Sequence, residues 1–360
     1  MSISEMATPA LVIDEAVVRR NIGRMAAYAA EHGLALRPHA KTHKSLRMAR
    51  LQLSAGAVGL AAAKVGEAET LAEACDDLLI AYPAVDEPRC RRIAELAREK
   101  TIRVAVDSAF AADALATAAR EAGSTVGVLV EVDVGFRRTG VQSPQAALAL
   151  ARHLDRTRGV RLDGIMCFPG HVTGPADEQD LSPVAEMLAE TLELWSAGGL
   201  AAGIVSGGST PTAYQSHRIP ALTEIRPGTY IYNDMNTVAG GHCGVEDCAV
   251  RVACTVVSDA VPGKVVIDAG SKALGSDPAR TADGGFGRVV EYPEARLVRL
   301  SEEHGEVGVT GCERRPALGE RVHVIPNHIC PCVNLYDQAW LRREDGQWEP
   351  MPVDARGRLS

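Results

Sequence analysis

The chain has 360 residues, more than one typical domain, and its 46% apolar share is ordinary for a globular protein. A net charge of −8 without any basic block excludes nucleic acid as the main partner. No apolar run approaches the ~20 residues that span a bilayer. Met1 to Thr8 lacks the charged and apolar regions of a secretory signal, so the expectation is a cytoplasmic protein with no membrane partner.

In chain order, Asp14 is placed to cap a helix whose apolar positions Val18, Ile22, Met25 and Ala29 follow helical spacing, with Gly33 as its stop. From about residue 20 to 235, short apolar runs of β type alternate with helical patterns. The predicted strands are Leu34–His39, Val58–Ala63, Leu78–Tyr82, Ile102–Val106, Val126–Val132, Leu162–Phe168, Gly203–Ser206 and Glu224–Arg226. Among the intervening helices, one covers Glu67 to Cys75 and another opens with Ser143 as N-cap and Pro144 in its first turn. Eight nearly continuous apolar runs predict parallel strands covered on both faces, and their spacing fits a (β/α)8 TIM-like barrel. The rival, a doubly wound open sheet, lacks a Gly-x-Gly-x-x-Gly after the first strand.

Past about residue 240 the texture changes. Val250–Ser258 and Lys264–Asp268 flank a Val-Pro-Gly turn, followed by Arg288–Glu291, Ala295–Ser301, Glu306–Thr310 and Arg321–Pro326. Gln338–Arg342 then pairs with Gln347–Met351 across Asp345-Gly346. The expectation is a C-terminal antiparallel β domain. Nine scattered cysteines, an odd number, fit reduced thiols better than a disulfide framework.

Chemistry concentrates in a few places. The chain has six lysines against thirty-two arginines, yet Lys41 and Lys44 both fall in Arg37-Pro38-His39-Ala40-Lys41-Thr42-His43-Lys44. Lysine forms imines once its pKa is lowered, whereas a guanidinium keeps its proton. Lys41, flanked by His39 and His43, is therefore the candidate catalytic group at a strand end; a solvated cation cluster is the bland alternative. Polar residues at barrel strand ends converge on one mouth. Arg138, three residues past Gly135, is placed to hold an anionic oxygen there. Ser206-Gly207-Gly208-Ser209-Thr210 and Arg226-Pro227-Gly228-Thr229, after the seventh and eighth strands, suit a phosphate. In the β domain, Pro326-Asn327-His328-Ile329-Cys330-Pro331-Cys332 places an imidazole and a thiol on one side of a segment read as extended. Both are good Zn²⁺ ligands, and two protein ligands leave open positions that suit catalysis.

Together these motifs resemble the D-threonine aldolase / D-serine dehydratase family of fold-type III pyridoxal-phosphate enzymes, relatives of the alanine racemase barrel. The resemblance covers nearly the whole chain, from Thr8-Pro9-Ala10-Leu11-Val12-Ile13-Asp14 through the lysine block, Phe168-Pro169-Gly170-His171 and Glu302-Glu303-His304-Gly305 to the His-x-Cys motif. It implies that Lys41 carries pyridoxal 5'-phosphate as an imine, with Arg138 and Phe168 beside the cofactor. Ser209, Thr210, Gly228, Thr229 and Tyr232 become its phosphate contacts, and His328 and Cys330 ligands of a divalent metal. Phe168 stands where relatives often carry tyrosine. A thiolate favours zinc over manganese or magnesium, and His-x-Cys is familiar in the dehydratase branch, whereas several aldolases carry His-x-Asp. The resemblance further implies domains at 20–240 (barrel) and at 1–19 with 241–360 (β domain), and a homodimer. The expected substrate is a D-configured β-hydroxy-amino acid, dehydrated to a 2-oxo acid and ammonia or, alternatively, cleaved to glycine and an aldehyde. Rival readings are a metal-free racemase, a non-catalytic cofactor carrier and a zinc-binding interaction module.

Overall fold

A computed structural model describes residues 6–174, 180–280 and 284–360. The first five residues of the expected 1–19 segment, residues 175–179 of the expected barrel and residues 281–283 of the expected β domain lie outside the described residues. Two compact units emerge. One comprises Gly23–Lys41, Leu46–Gly228 and Gly357–Ser360; the other comprises Met1–Ile22, Thr42–Ser45 and Thr229–Arg356. The chain starts with strand β1 (Ala10–Asp14) and helix α1 (Glu15–Glu31), whose residues are shared between the two units. Asp14 Oδ1 accepts from the N–H groups of Ala16 and Val17 at 3.0 and 3.3 Å, and Gly33 (φ +64°) ends the helix.

The first unit is the barrel. Its strands are β2 (Ala35–Leu36), β3 (Leu60–Ala62), β4 (Asp77–Ile80), β5 (Thr101–Val106), β6 (Val126–Val132), β7 (Val160–Cys167), β8 (Ile204–Gly207) and β9 (Glu224–Ile225). All pair in parallel, in the order β2-β9-β8-β7-β6-β5-β4-β3. The N–H of Ala61 donates to Pro38 O (2.9 Å), and His39 bridges Ala61, which joins the two ends of the sheet. Formal β2 is shorter than the expected Leu34–His39 because Pro38 has no N–H to donate. The ladder itself continues, since Arg37 and His39 donate to Ile225 O and Pro227 O at 2.9 and 3.0 Å.

Helices α2 (Leu46–Ser54), α3 (Val65–Leu71), α4 (Glu87–Leu96), α5 (Ala109–Ala122), α6 (Pro144–Arg156) and α7 (Ser182–Ala197) alternate with the strands. Ser143 caps α6 as expected, accepting from Ala146 N–H at 3.2 Å. Helix α3 differs from the expected Glu67–Cys75. Glu67 lies in its first turn and reaches back to the N–H of Ala63 (2.5 Å), so the helix starts earlier and closes at Leu71.

The strand interiors are layered. Leu79, Ala105, Leu129 and Met166 form one apolar cluster with Ala81 and Ile204. Two positions earlier on their strands, Asp77 and Arg103 belong to a charged layer. Arg37 Nε donates to Glu224 (2.8 Å) and Nη1 to Asp77 (2.7 Å), while Arg103 bonds Asp77 (2.6 Å) and Asp163 (2.8 Å). Arg37 is 2% exposed, and Gly59 makes room for it: a Cβ there would meet Arg37 Nη1 at 2.2 Å.

The second unit is antiparallel except where β1 meets β16. Strands β10 (Val250–Ser258), β11 (Lys264–Ile267), β12 (Gly287–Val289), β13 (Arg296–Leu300), β14 (Gly305–Gly308) and β15 (Arg321–Pro326) close in the order β10-β11-β14-β13-β12-β15 back to β10. β1 pairs antiparallel with β10 and parallel with β16 (Gln338–Arg342), which forms the expected hairpin with β17 (Trp348–Pro352). Met6, Ala10, Val12 and Ala253 pack with Trp340 and Trp348. Three short helices, α8 (Met235–Ala239), α9 (Ser271–Leu274) and α10 (Ile329–Val333), complete the unit. Among the described residues no helix is long and apolar enough to cross a membrane.

Candidate active site

In the barrel unit the expected residues stand on the loops after the strands. Lys41 lies on the single turn Ala40–Thr42 that follows β2. Its Nζ is 6.0 Å from the Phe168 ring centre. The Arg138 guanidinium packs over the same ring at 4.9 Å and over Phe136 at 5.0 Å, with the two phenyl rings edge to face. One amine and one fixed cation thus share a single aromatic floor. Phe168 offers no hydrogen-bonding group to anything lying there.

The Arg138 loop is built by Asp133, 8% exposed, whose carboxylate accepts from the N–H groups of Gly135 (3.0 Å) and Arg137 (3.0 Å). Burial raises the Asp133 carboxyl, but the donors on Arg137 and Gly135 outweigh it and hold the pKa below its ordinary value. Gly135 (φ +120°) carries no side chain because a Cβ would meet the His171 ring at 2.9 Å. Below the loop, Glu131 accepts from Thr139 Oγ1 at 2.7 Å. Burial pushes its carboxyl up, and the charges of Arg138 and Arg226 partly offset this.

The two turns expected to hold phosphate are adjacent. Thr210 Oγ1 accepts from Gly228 N–H (3.3 Å), and Ser209 and Thr212 exchange hydroxyl contacts at 3.1 Å. Arg226 braces them from below, donating to Ser206 Oγ (2.6 Å) and Cys167 O (2.7 Å). His39 Nδ1 accepts from Lys41 N–H at 3.4 Å, which shapes the lysine's own turn.

The second unit holds the imidazole and the thiol. Here the reading of an extended segment is corrected. β15 ends at Pro326, His328 is the N-cap of α10 (φ −132°), and Cys330 sits in the first helical turn. The cause is Asp234, 2% exposed: its Oδ2 accepts from Ile329 N–H (3.1 Å) and its Oδ1 from Thr237 N–H (2.8 Å), which turns the chain into a helix. The two residues stay only two positions apart at the start of the helix, near enough for the Cys330 sulfur to act on the imidazole. Burial lowers the imidazole pKa, but the bond and charge of Cys330, Asp277 and Asp234 outweigh it and push His328 up to about 9.

Several partners carried no sequence signal. Asp277 Oδ2 lies 2.5 Å from His328 Nδ1 and, being a carboxylate, can only accept; this fixes the proton on Nδ1 and leaves Nε2 as the ring nitrogen a cation could use. Asn327 positions Asp277 by donating to its carbonyl (3.1 Å) and to Gly285 O (2.9 Å). Thr42 and Thr229 bring hydroxyls to the Cys330 sulfur at 3.2 and 3.7 Å. His43 is fully buried, accepts from Ser45 N–H through Nδ1 (3.1 Å), and meets Tyr232 edge-on at 6.5 Å. The buried Tyr232 hydroxyl has no hydrogen-bond partner among the described residues, and burial pushes its pKa up. An orphaned buried hydroxyl fits an acceptor such as a phosphate oxygen. Among the described residues no group of three or more His, Cys, Asp or Glu side chains is arranged to hold a metal, so His328 and Cys330 offer a two-donor set.

Comparison with known proteins agrees with this architecture. The family profile "Alanine racemase, N-terminal domain" matches residues 13–236, and "Putative serine dehydratase domain" matches 249–341. A D-threonine aldolase of Arthrobacter sp. is 32% identical over 99% of this chain and 94% of its own length. A D-threo-3-hydroxyaspartate dehydratase of Delftia sp. (strain HT23) is 33% identical over 90% of each. Among solved structures, D-threonine aldolase from Filomicrobium marinum superposes with a TM-score of 0.91 at 29% identity, covering 99% of this chain and 98% of that one. The chain is an enzyme, a lyase that belongs to the D-threonine aldolase / D-serine dehydratase family on the alanine racemase barrel.

Proposed function

We propose that this enzyme uses pyridoxal 5'-phosphate and a divalent cation, with zinc preferred, to eliminate water and ammonia from D-β-hydroxy-amino acids, giving 2-oxo acids. The observation that carries the proposal is the imidazole–thiol donor pair His328/Cys330, braced by Asp277. A neutral imidazole and a thiolate are the donors a catalytic zinc prefers. When bound, the cofactor supplies an electron sink for charge at the substrate α-carbon, and the cation supplies Lewis acidity toward the β-oxygen.

The chain's own residues do the rest. Lys41 would hold the cofactor through Nζ, and the same Nζ, when free, would take the substrate α-proton. Arg138, held over the Phe168 ring, would supply a cation beside the cofactor. Ser209, Thr210, Gly228, Thr229 and Tyr232 receive the phosphate, for which the unpartnered Tyr232 hydroxyl is fitted. His39 and His43 support catalysis by shaping the lysine turn, His39 accepting from the N–H of Lys41 itself and His43 from the N–H of Ser45. His328, held up to about 9, would have to give up a proton to serve as a ligand, so metal affinity should rise with pH.

Retro-aldol cleavage to glycine and an aldehyde is the second reading, supported by the near full-length likeness to a D-threonine aldolase. Product analysis decides. D-serine and D-threonine should yield a 2-oxo acid with ammonia; glycine with an aldehyde establishes the aldolase reading instead. Failure to form either product set with the zinc- and pyridoxal-phosphate-loaded enzyme refutes both. Lys41→Ala should abolish the imine absorption band of the purified protein, and an unchanged spectrum removes Lys41 from this role.

A further inference from the structure

The barrel unit carries a further cation at its strand ends that none of the roles above uses. Lys64 stands between β3 and α3, and its Nζ sits over the Tyr82 ring, 3.3 Å from the ring centre. Tyr82 follows β4 and is 40% exposed, while Lys64 is half-buried. Among the described residues no hydrogen bond or ion pair engages the Lys64 amine. The acidic residues of α3 are committed elsewhere, Glu67 to the N–H of Ala63 (2.5 Å) and Glu69 to Arg92 (2.7 and 2.6 Å). Lys64 is also the N-cap of α3, with extended backbone (φ −142°, ψ 161°) and no side-chain cap bond. A hydroxyl or carboxylate there would accept from the first helical N–H groups, whereas an amine can only donate and its charge opposes the helix dipole. Local stability therefore gives no reason for a lysine at this position.

Strand register gives one. His39 pairs with Ala61 and Ala61 with Leu79, all in parallel. Counting on from that level, Lys41 lies two positions past His39, Lys64 three past Ala61 and Tyr82 three past Leu79. Lys64 and Tyr82 thus stand on the two strand ends next in order after that of Lys41. On its other side β2 pairs with β9, which leads into the Gly228 turn, and β9 pairs with β8, which leads into the Ser209 turn. The turn of Lys41 therefore comes between the phosphate turns and Lys64 in the strand order.

We propose that Lys64, steadied by the face of Tyr82, binds the α-carboxylate of the substrate. The inference rests on the proposed reading in which Lys41 carries the cofactor. A substrate whose amine takes the place of the Lys41 amine holds its carboxylate one carbon further on. The phosphate fills the turns after β8 and β9, which leaves the β3 side for that carboxylate. There the Lys64 ammonium donates a charge-assisted hydrogen bond while its contact with the ring persists. Arg138, the other cation on the strand-end loops described above, is already packed over Phe168 and Phe136.

Binding to the pyridoxal-phosphate-loaded full chain is measured by isothermal titration with D-alanine and with D-alaninamide, in which a neutral amide replaces the carboxylate. D-alanine has no β-hydroxyl, so no lyase product forms and the readout does not depend on turnover. The unmutated enzyme should bind D-alanine the more tightly. Lys64→Gln should weaken D-alanine binding by roughly 10–100-fold, the loss of one charged hydrogen bond, and leave D-alaninamide unchanged. Tyr82→Leu, which keeps an apolar side chain without the π face, should weaken D-alanine binding by about two- to fivefold. An equal loss for both ligands in Lys64→Gln, no loss in that variant, or no binding of D-alanine by the unmutated enzyme overturns the assignment. The reaction and the Lys41 role fail on other observations, the products from D-serine and the Lys41→Ala spectrum, so the two failures are distinguishable.

Discussion

Asp277 is an acidic residue in Ser276-Asp277-Pro278, remote in sequence from the histidine it orients, and nothing in its neighbourhood singles it out. Its place is visible only once Asn327 has pinned its carbonyl. Asp277→Asn keeps the size but removes the charge, and should weaken divalent-metal binding by roughly 10–100-fold, measured by competition with a coloured chelator. Unchanged affinity would show that His328 needs no such partner. Lys41, Arg138, His328 and Cys330 could be singled out in the sequence because their residue types are rare or pointed in context: a lysine in an arginine-rich chain, an arginine after a turn glycine, a thiol two residues from an imidazole. Thr42 and Thr229 were next to residues already singled out, yet a hydroxyl beside a sulfur leaves no pattern along the chain. The local conformation at His328 was misread because the determinant, Asp234, comes from a distant loop and overrides the strand that precedes it.

At the scale of elements, the loop carrying Arg138 depends on one carboxylate. Asp133→Ala should cost roughly 1–3 kcal/mol, because the N–H groups of Gly135 and Arg137 lose a charged acceptor. The sign with pH follows from its depressed pKa: the contribution is present above the unfolded carboxylate value and is lost as acid takes the pH down through the folded one. Urea denaturation should therefore show the variant weaker at neutral pH and converging with the parent below about pH 4. The charged barrel layer gives a larger effect. Arg37→Ala leaves the buried Glu224 without its cation and Asp77 with Arg103 alone, and should destabilise by about 3–5 kcal/mol, read from the denaturation midpoint. Barrel strands such as Val126–Val132 were legible from their continuous apolar runs, and the strand order follows from right-handed βα succession. Arg37 itself was not, since a guanidinium in a block of cations reads as solvated until Gly59 is seen to give it room.

At the scale of the molecule, β1 is an interior strand of a nine-stranded sheet, between β10 and β16, although it precedes both in sequence. Periodicity alone did not assign it to that sheet; the resemblance did, because five residues hold too little pattern to choose a partner. Removing the chain through Asp14 should leave β10 and β16 with unpaired edges. Limited proteolysis should then cut within residues 250–352 while the barrel fragment survives; an intact C-terminal third would show that β1 is dispensable. Its position also orders events during synthesis. A ribosome releases β1 before any strand it pairs with, and β10 and β16 leave the exit tunnel only after the last barrel strand. The nascent barrel can close while β1 is still unpaired, so a stalled chain exposes one sticky edge ahead of the barrel, open to a chaperone that binds extended segments.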